Sequence, residues 1–290
     1  MNTENETITN ARRARVLTEA LPYIQKYYGQ VVVIKYGGNA MIDANLKRQV
    51  MEDIVLLHLV GVKVVLVHGG GPEISELMNR LGKKAQFVNG LRVTDEETVD
   101  VVQMVLAGKV NKSLVNLLGS YGGIAMGISG LDGRLIEAEC KDKALGFVGK
   151  IKKINIKPVI DLLDSDYIPV ISTIACGENG TVYNINGDTA AGYIAGALEA
   201  KRLIMMTDVA GVLKNPADPE TLVRKITVSE AEEFKKEGII SGGMIPKVDC
   251  CIDALKHGVQ KVIIMDGRVP HAILMELLTD EGAGTMVVGG

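Results

Sequence analysis

Two stretches decide how this chain folds: VVVIKYGGNA at 31–40 and VKVVLVHGGGP at 62–72. In each, an apolar, β-branched run ends in glycines and yields to a helical pattern, which covers 43–60 after the first. An unbroken apolar run predicts a strand buried on both faces. Strand, glycine turn and helix in series predict an α/β fold: an open, mostly parallel central sheet with helices on both faces. The same rhythm returns as a strand at 167–173, a helix at 187–200 and a strand at 202–207. It closes with a helix at 244–257, a strand at 261–265, a helix at 270–278 and a strand at 285–288.

The segments around these units read differently. Residues 84–95 alternate about Asn89-Gly90, a strong hairpin signal. A long helix is expected over about 95–118, and the short strands between Gly-rich turns at 124–156 predict an antiparallel appendage. Ahead of the sheet, Ala14, Leu17, Leu21 and Ile24 share one face of a helix over 10–28, and Pro22 predicts a kink in it. The expected organisation is an N-terminal helix (1–28) and two lobes of one continuous sheet (29–175 and 176–290).

Composition narrows the function. Of 290 residues, 47% are hydrophobic, enough for a sizeable core. Aromatics make up 4%, with no Trp and three Phe, which argues against stacking platforms for single-stranded nucleic acid. The net charge is −3, with 32 basic and 35 acidic side chains intermixed, so no basic stripe for nucleic acid is present. Cys140, Cys176, Cys250 and Cys251 form no C-x-x-C pair, so reduced thiols are expected, with neither a metal site nor disulfides. The polar N-terminus lacks the apolar core of a secretory signal, and the apolar stretch at 54–62 is broken by His58 and too short to span a bilayer. A cytoplasmic protein with no membrane partner is expected. Glycine is the outlier at 33 residues, well above the usual level of about 7%.

Neither G-x-x-x-x-G-K-[ST] nor G-x-G-x-x-G occurs, which disfavours a P-loop and a standard dinucleotide site. What remains is Gly37-Gly38 after Lys35, and Gly69-Gly70-Gly71 after His68. Glycine lets backbone approach a ligand, and the helix that follows offers free N–H groups, so two such turns can cradle an anion. The plainer alternative is a pair of ordinary strand-to-helix turns. Lys35 sits in an apolar strand pattern, either snorkelling or aimed into the cradle. Lys247, after Gly242-Gly243, is either a solvated helix lysine or a second such cation. Asp188 is either a first-turn acid or the carboxylate that orients both lysines.

In combination and order, VVIKYGGNA, VLVHGGGPEI, NGLRVT, YNINGDTAA, MMTDVAGVL and SGGMIPKV resemble the amino acid kinase family, most closely its N-acetylglutamate kinase branch, over about 21–290. The resemblance implies ATP with Mg²⁺ on its phosphates, N-acetylglutamate as acceptor and the three-layer sandwich of that family. It assigns Lys35 and Lys247 to stabilising the transferring phosphoryl group, and Asp188 to holding those lysines. It assigns Gly70, Gly71, Arg92, Asn184 and Asn186 to the substrate. Gly37, Gly38, Thr207, Asp208, Gly211, Gly243 and Met244 fall to the nucleotide and its reacting phosphate. The first lobe would bind N-acetylglutamate and dimerise, and the second would bind ATP.

The resemblance extends to regulation. Arginine-inhibited members of the branch carry a similar kinked N-terminal helix that interlaces dimers into a hexamer, a trimer of dimers. Here LPYI at 21–24 and HAILMELLTDEGAGT at 271–285 match, placing Tyr23, Arg202, Glu276 and Gly284 at the arginine site. Arg202 departs from the lysine frequent at its position, which keeps the charge and changes the geometry. A PII-type signal protein, a partner of some relatives, is indicated by no residue of this chain. The competing readings are another acyl-phosphate kinase of the same family and a non-catalytic arginine sensor.

Overall fold

The computed structural model describes residues 9–37, 41 and 43–290; Gly38 lies outside them. The first part of the chain supplies β1 (Val31–Tyr36), β2 (Lys63–His68), β3 (Phe87–Val88), β4 (Leu91–Arg92), β5 (Ala125–Gly130), β6 (Ile136–Cys140) and β7 (Gly149–Ile154). The second supplies β8 (Ile168–Cys176), β9 (Val182–Asn184), β10 (Arg202–Thr207), β11 (Lys225–Thr227), β12 (Lys261–Asp266) and β13 (Gly284–Val288). One large sheet runs in the order β11-β13-β12-β10-β1-β2-β8-β6-β7, with β5 and β9 also paired to β8. Its centre, β12-β10-β1-β2-β8, is parallel throughout.

Side-chain alternation sorts the core into two layers. Val32, Ile34 and Tyr36 of β1 face a cluster formed with the helices Ala44–Leu59, Gly71–Arg80 and Ala272–Leu278. Val33 faces the opposite cluster, formed with the helices Lys157–Asp164, Gly187–Ala197 and Met244–Lys256. Because the strand period is two, Lys35 falls on the face of Val33, toward the helices that carry Asp188 and Lys247. β1 lies between β2, which follows it in sequence, and β10, which comes much later. This reversal of strand order opens a crevice at the carboxyl ends, the usual ligand position in open α/β sheets.

Most sequence expectations hold. The hairpin turns on Asn89 (φ 49°) and Gly90 (φ 77°), the paired positive φ values of a type I′ turn. The N-terminal helix breaks at Ala20 into Asn10–Glu19 and Leu21–Tyr27, with Pro22 in the first turn of the second piece. Two expectations need correction. β5 is no antiparallel appendage, because it pairs in parallel with β8; antiparallel pairing joins β6 to β7. The long helix is interrupted, since Glu96–Gln103 and Asn111–Ser120 are α-helical and Met104–Val110 between them is a π-helix. Among the described residues no helix is long and apolar enough to cross a membrane.

Candidate active site

Lys35 Nζ lies 2.8 Å from Asp188 Oδ1, and both side chains are largely buried. The lysine stem rises between two glycines: a Cβ on Gly37 would sit 3.0 Å from its Nζ, and one on Gly187 would sit 3.5 Å from its Cε. Asp188 occupies the first turn of Gly187–Ala197, whose N-cap is Asn186, with Oδ1 accepting from the Thr189 N–H at 3.0 Å. Burial pushes the Asp188 carboxyl upward. The charge and hydrogen bond of Lys35, reinforced by the charge of Lys247, outweigh it and hold the group below the usual aspartate value. Asp188 is thus a first-turn acid that also pairs with Lys35. Lys247 is half-buried in the first turn of Met244–Lys256, a helix with no side-chain cap on its N-terminus.

Beside this pair is a cavity of about 150 Å³ lined by Gly69, Gly70, Gly71, Arg92, Asn184, Asn186 and Gly187, among others. The sequence-derived substrate residues thus converge on one space. The helix Gly71–Arg80 starts there with Pro72 in its first turn and no side-chain cap, so its leading N–H groups are free. Gly69 and Gly71 face open space, whereas a Cβ on Gly70 would come 2.7 Å from Leu106 Cδ2 and 3.2 Å from Val110 Cγ2. The turn is therefore packed from behind by the π segment and open in front.

Arg92 is buried, 7% exposed. Its Nη2 donates to the Gly71 carbonyl at 2.9 Å and to Ser75 Oγ at 2.8 Å, and its guanidinium lies 4.7 Å from the Phe87 ring centroid. Burial lowers its pKa from the ordinary arginine value, and no carboxylate pairs with it among the described residues. A desolvated cation without a counter-ion is costly, so this one is suited to an anion entering the cavity. Asn184 is held by Nδ2 donating to Thr94 Oγ1 at 3.3 Å.

The residues matched to a nucleotide lie at neighbouring strand ends. Gly37 follows β1, and Thr207 ends the adjacent β10, its hydroxyl accepting from the Val209 N–H at 3.1 Å. Asp208 is exposed just beyond, and Gly243 and Met244 begin the Lys247 helix. Gly211 has a different local reason to be glycine. Its φ is +143°, and a Cβ there would sit 2.4 Å from Thr285 Oγ1.

A second cavity, about 290 Å³, opens where the N-terminal helix meets the far part of the sheet. Tyr23, Arg202, Glu276 and Gly284 all line it. Arg202 is buried, lies 5.5 Å from the Tyr27 ring centroid and has an Nε without a partner among the described residues. Burial raises the pKa of Glu276, against the pull of the Ala283 N–H, which donates to its Oε2 at 2.8 Å.

Sequence reasoning missed the supports of the first site. Ser75 lies one helical turn beyond Gly71 and ties Arg92 to it; Phe87 stands across the hairpin from Arg92. The π segment behind Gly70 carries no sequence signature.

Residues 30–266 match the amino acid kinase family. The chain is similar to the acetylglutamate kinase of Thermoanaerobacter pseudethanolicus, 53% identical over 278 residues, which cover 95% of this chain and 93% of that one. It is equally similar to the acetylglutamate kinase of a Nostoc species, 53% identical over 280 residues and covering 96% and 94%. In fold it is similar to the N-acetylglutamate synthase from Neisseria gonorrhoeae solved with coenzyme A and N-acetyl-glutamate, with a TM-score of 0.82 at 24% identity. That match covers 95% of this chain and 63% of the synthase, so the chain spans less than two thirds of the synthase's length.

Proposed function

The chain belongs to the amino acid kinase family, and from that premise we propose that it transfers the terminal phosphoryl group of ATP to the γ-carboxylate of N-acetyl-L-glutamate. The product is N-acetyl-L-glutamyl 5-phosphate. The observation that carries this reading is the buried guanidinium of Arg92, without a carboxylate partner among the described residues, in the cavity beside the Lys35–Asp188 pair.

The chemistry follows from charge. An anionic carboxylate must meet an anionic phosphate, so the barrier is repulsion and misorientation. The acceptor is already ionised at neutral pH and needs no general base. Arg92 anchors the α-carboxylate, with Asn184 and Asn186 on the same wall, so that the γ-carboxylate points toward the glycine turn. The N–H groups of Gly70 and Gly71, with Lys35 and Lys247, provide the fixed positive field for charge that develops in flight. Asp188 keeps Lys35 from swinging away while leaving the site net positive. The nucleotide enters as MgATP along Gly37, Gly38, Thr207, Asp208, Gly211, Gly243 and Met244, and the metal rides on its phosphates.

The enzyme acts in the cytoplasm in arginine biosynthesis, and arginine inhibits it through the second cavity. There Glu276 meets the effector's cationic groups and Tyr23 ties the N-terminal helix to the site. That helix joins dimers into a hexamer: Asn10–Glu19 buries none of its residues within the chain, leaving Val16 and Leu17 exposed. ADP release from ATP, measured with N-acetyl-L-glutamate, L-glutamate, L-aspartate and carbamate as acceptors, tests the reading. Turnover is expected with N-acetyl-L-glutamate; preference for another acceptor, or none at all, would contradict it.

A further inference from the structure

We propose that His68 and Asn111 form a positioning pair for the glycine turn at 69–71. His68 holds the Gly69 carbonyl from behind, and Asn111 fixes the imidazole in the tautomer that this requires. The proposal rests on the reading above, in which the N–H groups of this turn meet the reacting anions.

His68 ends β2 and is fully buried. Its Nδ1 lies 2.9 Å from the Gly69 carbonyl oxygen, and its Nε2 lies 3.1 Å from Asn111 Nδ2. A carbonyl can only accept, so Nδ1 carries the hydrogen and Nε2 presents a lone pair. The other end gives the same answer independently. Asn111 Nδ2 gives one of its two hydrogens to the Val170 carbonyl at 2.9 Å and the other to the ring, shared with the longer Ile128 carbonyl contact at 3.3 Å, so the amide nitrogen, not its oxygen, faces the ring. The tautomer is therefore set at both nitrogens.

The ring is also held neutral. Burial pushes its pKa down to about 4; the bond to Gly69 pulls the other way, while the charges of Lys47 and Lys112 push further down. A neutral ring donates through one nitrogen alone, and it gives that bond to the turn.

The protein bears a cost to keep this arrangement. Asn111 Oδ1 is buried without a partner among the described residues, and a Cβ on Gly127 would fall 1.9 Å from it. A leucine at 111 would avoid the orphaned oxygen. The π segment that packs Leu106 and Val110 against Gly70 also sets the rotation at which Asn111 begins the next helix. With Arg92 and Ser75 holding the Gly71 carbonyl, the turn is clamped at both ends.

Imidazole ¹⁵N NMR of the full chain is expected to show His68 as the neutral, Nδ1-protonated tautomer, unchanged from about pH 8 to about pH 5.5. An Nε2-protonated ring, or ionisation near the ordinary histidine value, would overturn the proposal even if no variant folds. In kinetics, His68→Leu is expected to lower kcat on the order of 10²-fold and Asn111→Leu about 10-fold, with KM for ATP little changed. His68→Asn, whose amide N–H replaces Nδ1–H, is expected to recover most of kcat. Wild-type kcat in both leucine variants, or losses that merely follow melting temperature with no recovery in His68→Asn, would refute it. A wild-type chain that fails to phosphorylate N-acetyl-L-glutamate would remove the functional reading and leave the tautomer result standing.

Discussion

Asp188 Oδ1 sits 2.8 Å from Lys35 Nζ across the gap between a strand end and a helix start, and the charge of Lys247 also reaches this carboxylate. Asp188→Asn removes the negative charge while keeping the shape. It should lower kcat about 10²-fold or more through loss of lysine positioning. The same variant should alter acid stability. The folded-state pKa of Asp188 is depressed, so its contribution is complete above the unfolded value of about 4 and is lost as pH falls through the lower folded value. Thermal unfolding followed from about pH 7 down to about pH 3 should show wild type losing its advantage over Asp188→Asn at the acid end. A constant difference across that range would contradict the pairing.

Arg92→Lys keeps the charge and loses the planar fork. Lysine cannot hold the Gly71 carbonyl and Ser75 while also presenting a second prong to a carboxylate. KM for N-acetyl-L-glutamate should rise at least about 10-fold, with KM for ATP nearly unchanged. An equal rise for both substrates would place Arg92 outside the acceptor site.

Gly70→Ala and Gly71→Ala should differ in kind. The Gly70 φ of 175° suits any residue, so its alanine fails by collision with Leu106, costing about 1–3 kcal/mol of stability. Gly71 has nothing within 4 Å of an added Cβ, so its alanine should melt close to wild type and lose activity by filling the front of the turn. Chemical denaturation beside steady-state kinetics separates the two.

Much of this was legible in the sequence. Lys35 belongs to the face of Val33, and alternation alone aims it at the layer that carries Asp188. The Asn89-Gly90 hairpin that presents Arg92 is written in its turn residues. Other features depend on contacts that the chain makes only once folded. His68 and Asn111 lie 43 residues apart and meet through a π turn that no periodicity announces. β5 departs from the antiparallel expectation because short strands between glycines do not reveal their direction, which β8 supplies. The helix Val228–Lys236 could have been found, since Thr227 and Glu230 form a capping box.

Arginine inhibition should weaken in acid. Burial raises the Glu276 pKa, so its carboxylate is protonated at a higher pH than an ordinary glutamate and loses its attraction for a cationic effector. Half-inhibitory arginine should rise as pH falls from about 8 to about 4.5, near the ordinary glutamate value, and Glu276→Gln should be insensitive throughout. Inhibition of equal strength in wild type across that range would contradict the role of Glu276.

Deleting residues 1–26 removes Asn10–Glu19, which buries nothing within the chain, together with Tyr23. Light scattering should show a smaller assembly that remains active and resists arginine. A truncated hexamer still inhibited by arginine would refute the role of this helix.

The most direct test of the central claim is the kcat of Lys247→Ala, from ADP release with saturating ATP and N-acetyl-L-glutamate. If fixed positive charge drives the transfer, kcat falls about 10²–10³-fold in a chain that still folds and binds both substrates. Turnover close to wild type would contradict the mechanism.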